Sequence, residues 1–221
     1  RPRDAYTLST KVGRLLHAAP DTREMSQGFA HALPFRRTFD YTAAGTIRLA
    51  VSPGGFRTVQ HPALRVSSGG LVTPDGAELP LTGSFGALAR GANVDWGPPE
   101  GLYAGSSGVT ADDLLLVDPH AQTLLVGWLA GGDSALRQLA PDETPVLWPE
   151  HFDIALTLDE VNYGVSPGDT WSPEPYAYVG PWQQRAGEFW NAPFGAARPR
   201  SALPDEEALE HGPHPAGTEL V

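Results

Sequence analysis

From Thr46 to Val51 polar and apolar residues alternate one by one. Ile47, Leu49 and Val51 fall on one side, and Thr46, Arg48 and Ala50 on the other. A period of two marks a half-buried strand. Ser52-Pro53-Gly54-Gly55 supplies turn chemistry, and Phe56 to Gln60 reads as the return strand. Ala63 to Leu81 continues as a small meander, with turns at Gly69-Gly70 and at Pro74-Asp75-Gly76. In the second turn Pro presets φ and Gly accepts a positive φ. Val146 to Leu158 opens another sheet region, and Asn162 to Val165 and Glu174 to Val179 read as two further strands.

The helical period is confined to fewer places. Leu8, Val12, Leu15 and Leu16 predict a helix over 6–19, ended by Pro20. Residues 21–35 read as a short helix or an ordered loop, 84–90 as a short helix, and 95–108 as a Gly- and Pro-rich loop. Asp118-Pro119 opens the clearest helix, with Asp118 as N-cap and an apolar stripe of Ala121, Leu124, Leu125, Trp128 and Leu129. Gly131-Gly132 is expected to break it, and Asp133 to cap a second short segment stopped by Pro141. The order of elements predicts an α+β domain: mostly antiparallel sheet with two or three packed helices. A β-sandwich with peripheral helices is the alternative. The domain is expected to span residues 1–197, followed by an acidic, Pro-rich tail over 198–221, extended or partly disordered.

Composition narrows the chemistry. A chain of 221 residues suffices for one sizeable core. It has no cysteine, which excludes disulfides, thiolate metal sites and cysteine nucleophiles. No stretch approaches the ~20 apolar residues that span a bilayer, and residues 1–10 lack an apolar signal core. A cytoplasmic protein with no membrane partner is the resulting expectation, although Arg1 is not a natural start. The net charge of −11 argues against nucleic acid as a partner. That charge is split: residues 1–60 carry 9 basic and 4 acidic side chains, and the remainder is strongly acidic. No glycine-rich segment has the spacing of a phosphate-binding loop, and no Gly-x-Ser-x-Gly elbow occurs.

The candidate chemistry lies in residues 148–194, which hold four of the six Trp, three of the six Tyr and three of the eight Phe. Strand alternation sorts this segment. Phe152, Ile154, Leu156 and Leu158 share one face; His151, Asp153, Ala155 and Thr157 share the other. Glu174, Tyr176 and Tyr178 likewise oppose Pro175, Ala177 and Val179. Paired as an antiparallel meander, these strands bring His151, Asp153, Glu174, Tyr176 and Tyr178 to one surface, with Asn162 and Asp169 at its edge. One imidazole, several carboxylates and two phenols suit acid–base chemistry or a polar pocket with aromatic walls. The ordinary reading of such a face is a solvated one. No spacing matches a specific metal motif, so no metal ligand is assigned, and nothing names a cofactor.

Four stretches carry a resemblance: WPEHFDIAL (148–156), VNYGVSPGD (161–169), EPYAYVGPW (174–182) and FWNAPFGA (189–196). They resemble a recurrent pattern in a family of uncharacterised actinobacterial proteins. The resemblance implies a shared fold and brings no activity with it.

The leading expectation is a small-molecule-binding domain using the polar and aromatic face, with Asn162, Tyr163, Tyr176, Tyr178 and Trp182 as ligand contacts. One alternative is a hydrolase- or isomerase-like enzyme, with His151 as base and Asp153 or Glu174 orienting it or binding a metal. The other is an interaction protein or homo-oligomer subunit whose partner meets the Trp-rich segment over 171–190.

Overall fold

Each alternating segment pairs with its neighbour in the chain, and the pairs join into one ten-stranded antiparallel sheet. A computed structural model describes residues 46, 48–60, 62–94, 110–149 and 151–203. The helix expected over 6–19, the segment over 21–35, the loop over 95–108 and the chain beyond Leu203 lie outside the described residues. The strands are β1 (Leu49–Ser52), β2 (Gly55–Thr58), β3 (Arg65–Val66), β4 (Leu71–Val72), β5 (Glu78–Leu79), β6 (Val146–Trp148), β7 (Asp153–Leu158), β8 (Val161–Ser166), β9 (Tyr176–Pro181) and β10 (Ala196–Pro199). Their order is β10-β9-β8-β7-β6-β1-β2-β3-β4-β5. Two hairpin ladders therefore meet where Leu49 of β1 pairs with Leu147 of β6. With two α-helices, α1 (Phe85–Gly91) and α2 (Pro119–Leu139), the fold is α+β. The described residues form one sheet rather than a sandwich.

Helix α2 begins as its sequence dictates. The Asp118 carboxylate accepts hydrogen bonds from the amides of His120 (2.8 Å) and Ala121 (3.2 Å), and Pro119 occupies the first turn. It does not break at Gly131-Gly132; it runs unbroken to Leu139. Asp133 is no cap: its carboxylate accepts from the Arg137 side chain 2.8 Å away, one turn on in the same helix. Packing explains the glycine. A Cβ on Gly132 would collide with Val165 and come within 3.1 Å of Ile154. Gly132 thus lets the helix backbone settle directly onto β7 and β8, at a cost of ~1 kcal/mol in helix propensity.

The core lies between α2 and this face of the sheet. Leu124, Leu125, Trp128, Leu129, Ala135 and Leu136 meet Leu49, Leu147, Ile154 and Val165, all buried. The Trp128 indole N–H donates to the carbonyl of Ser166 (2.8 Å), so the largest core side chain satisfies its polar atom on β8. Gln122 donates to the carbonyl of Ser67 (2.9 Å) and ties the start of α2 to the β3–β4 hairpin. Phe152 packs edge-on against Phe56, ring centres 5.1 Å apart.

The C-terminal boundary also differs from expectation. Residues 198–199 belong to β10, a 3₁₀ turn follows over Arg200–Ala202, and Leu203 is buried. Arg198 and Pro199 pair with Ala177 and Tyr176, a register that composition alone does not reveal.

Two glycines in one helix should respond in opposite directions. A Cβ at Gly127 meets nothing within 4 Å. Gly127→Ala is expected to raise unfolding stability by ~1 kcal/mol, and Gly132→Ala to lower it by roughly 1–3 kcal/mol through overpacking. Urea denaturation of both variants checks this.

Candidate functional site

The face of β6–β9 turned away from α2 is built in cross-strand rows. Trp148 pairs with Asp153; Val146 pairs with Ala155, and Ala155 with Gly164; Thr157 pairs with Asn162. Gly164 in turn pairs with Tyr178, and Ser166 with Tyr176. The middle row is therefore small or short where it crosses β6–β8, and the rows on either side are taller. A depression follows from that profile. Its volume is about 480 Å³, and its walls include Arg48, Glu143, Trp148, His151, Asp153, Asn162 and Tyr178. That lies within the usual size range of small-molecule sites.

Tyr178 forms one wall by leaning over its neighbour. Its phenol donates a hydrogen bond to Asp153, which lies two strands away on β7. The ring can cross β8 only because residue 164 is glycine. A Cβ there would come within 2.6 Å of the Tyr178 ring carbon Cζ and hydroxyl, and 2.7 Å from the carbonyl oxygen of Ile154. Asp153 is 8% exposed. A carboxylate that far from water needs strong hydrogen bonds, and the phenol supplies one. Burial, the Asp153 charge and the hydrogen bond to it all raise the Tyr178 pKa well above its ordinary value.

Tyr176 lies on the same face, further from the depression. Its phenol donates to Asp169 (2.7 Å), and its pKa is raised chiefly by burial. Asp169 also accepts from the amides of Trp171 (2.8 Å) and Ser172 (3.1 Å). It thereby holds the Trp171 ring 5.0 Å from that of Tyr176. Phe194 stacks on Tyr176 and meets Trp171 and Tyr178 edge-on. An aromatic ridge thus runs on from the Tyr178 wall.

At the other end Asn162 has a fixed orientation. Its Oδ1 accepts from Thr157 Oγ1 (2.8 Å) and from the Trp182 indole (3.4 Å). Both donors meet the carbonyl side of the amide. Trp182 itself is 64% exposed.

The expected site residues separate accordingly. His151, Asp153, Asn162 and Tyr178 come together around the depression. Tyr176 shares their face. Tyr163 does not: it pairs with Leu156 and Val179 and is buried in the core on the opposite face. Glu174 lies ahead of β9, where its carboxylate accepts from the Ser201 amide (2.7 Å) and caps the turn after β10. It is not among the residues lining the depression. His151 belongs to the β6–β7 connection rather than to a strand. Phe152, next to it, has φ of +54°, and that left-handed step sends the Phe ring to the core and Asp153 to the opposite face. Among the described residues no group of three or more His, Asp or Glu side chains is placed to hold a metal ion.

Arg48, Glu143 and Thr144 were missed in the sequence. Arg48 reaches the site through the β1–β6 pairing, which joins segments about a hundred residues apart. Its guanidinium lies 5.5 Å from the centre of the Trp148 ring. Alternation did put Arg48 on the polar side of its strand; the missing information was the neighbour of that strand.

No family model, curated protein or solved structure matches the chain.

The Tyr178 shift makes a signed prediction. A group whose pKa is raised by folding contributes stability that is intact below its unfolded value, about 10 for tyrosine, and is lost as pH rises toward the folded value. Wild-type stability is therefore expected to fall more steeply above about pH 10 than that of Tyr178→Phe. Urea denaturation of both proteins between pH 8 and pH 11 measures the difference, and parallel curves would remove Tyr178 as its source.

Proposed function

We propose that the protein binds a small polar molecule in the depression on β6–β8. The observation that carries this reading is the pair Val146–Ala155, low in profile, flanked by Trp148 and Asp153 on one side and Thr157 and Asn162 on the other, and closed by the Tyr178 ring over Gly164. A solvated sheet face has no need to bury a carboxylate at 8% exposure or to spend a glycine on seating a phenol over it. Both features cost stability, and such costs are characteristic of sites. The mixed lining also fits: aromatic walls with a few directed polar groups are the usual make-up of a ligand site.

Binding is better supported than catalysis. Asp153 is engaged by Tyr178 and Glu174 by Ser201, so neither is given over to orienting His151 as a general base.

A fragment screen read by ¹H–¹⁵N correlation spectra tests the proposal. Hits are expected to shift the amides of Trp148, Ala155, Thr157 and Asn162 together. Hits that scatter over the surface, or that concentrate around α1, would contradict it.

A further inference from the structure

We propose that the ligand is a neutral carbohydrate, seated on the low Val146–Ala155 pair with its hydroxyls toward the polar side chains around it. The inference rests on the binding reading above and names the chemical class that the lining selects.

The deepest charge in the depression is not open to a ligand. Asp153 Oδ2 accepts from the Tyr178 phenol, and Oδ1 is buried. The groups left to meet a ligand lie nearer the rim, where Arg48, Glu143 and Thr144 are exposed. Among the described residues the Arg48 guanidinium has no hydrogen-bond acceptor; its contact is the Trp148 ring. The Thr144 hydroxyl and the Asn162 Nδ2 likewise have no hydrogen-bond partner there, whereas Asn162 Oδ1 is taken by Thr157 and Trp182.

These open groups mix both senses of hydrogen bonding. Arg48 and the Asn162 Nδ2 only donate, Glu143 only accepts, and Thr144 does either. A hydroxyl also does either, so a ligand with several hydroxyls can satisfy the whole set. The fork of Arg48 presents paired N–H groups, which suit the two oxygens of a vicinal diol. The floor between these groups is different. Val146 and Ala155 offer hydrocarbon, and Trp148 and Tyr178 add ring surface. A pyranose has the same division: hydroxyls around its rim and C–H groups on its face. Those C–H groups carry slight positive charge and suit the negative face of an aromatic ring. Trp182, largely exposed and bonded to Asn162, places a further indole at that end. A volume of about 480 Å³ admits a mono- or disaccharide.

A charged ligand fits less well. Arg48 opposes a cation, and Glu143 and Asp153 oppose an anion, each at a cost from like charge.

The test is titration with neutral mono- and disaccharides, followed by the amide shifts of Trp148, Ala155, Thr157 and Asn162. Sorbitol serves as a polyol without a ring face. At least one saccharide is expected to shift those four amides together, and sorbitol to bind roughly tenfold more weakly or not at all. Arg48→Met should weaken the saccharide roughly ten- to a hundredfold, and Thr144→Val roughly two- to tenfold. Both residues are exposed, so the substitutions leave the core untouched. A saccharide that binds both variants as tightly as the wild type would overturn the inference. Sorbitol binding as tightly as the sugars would do the same, as would a depression that takes other fragments but no saccharide; in all three cases the binding reading would survive. If neither saccharides nor fragments shift those amides, both fall.

Discussion

One ring crossing one glycine decides the shape of the polar face. Tyr178 starts on β9, passes over Gly164 on β8 and ends at Asp153 on β7. Any side chain at 164 would block that passage. Without the crossing, Asp153 would lose the phenol that compensates its burial, and the depression would lose a wall. The phenol contact is charge-assisted and partly buried, conditions that strengthen a hydrogen bond.

The opposite face gives that arrangement a rigid base. Gly132 brings α2 down onto Ile154 and Val165, and Trp128 bonds to the carbonyl of Ser166. Ile154 lies next to Asp153 in the chain, Val165 next to Gly164, and Ser166 shares the row of Asp153 and Tyr176. Each anchored core residue is thus one step from a residue of the polar face. Strand alternation makes this unavoidable: fixing one side of β7 and β8 to the helix fixes the other side as well. The site is in this sense carried on regular elements rather than loops, the arrangement that holds side chains most reproducibly.

The sequence made much of this legible, for specific reasons. Period-two alternation found the strands of the β1–β5 meander and sorted β7 and β9 into correct faces, because side-chain direction in a strand depends only on parity. The capping pair Asp118-Pro119 marked the start of α2 because it satisfies local hydrogen bonds. The failures are equally physical. Gly131-Gly132 looked like a break because a glycine chosen for close packing is indistinguishable, in sequence, from one chosen for a turn. The hairpin between β7 and β8 turns on Asp159-Glu160, both at positive φ, without the Asn-Gly that normally announces it. Tyr163 has the chemistry of a ligand contact, but alternation from Asn162 puts it on the core face. Arg48 depends on the β1–β6 pairing, a long-range contact that no local pattern encodes.

The central claim is that Asp153 and Tyr178 form a coupled pair across β8. A double-mutant cycle measures this directly, comparing unfolding free energies of the wild type, Asp153→Ala, Tyr178→Phe and the double variant. The account predicts a coupling energy of roughly 1.5–3 kcal/mol, the range for a hydrogen bond to a charged group. Strictly additive single effects would contradict it.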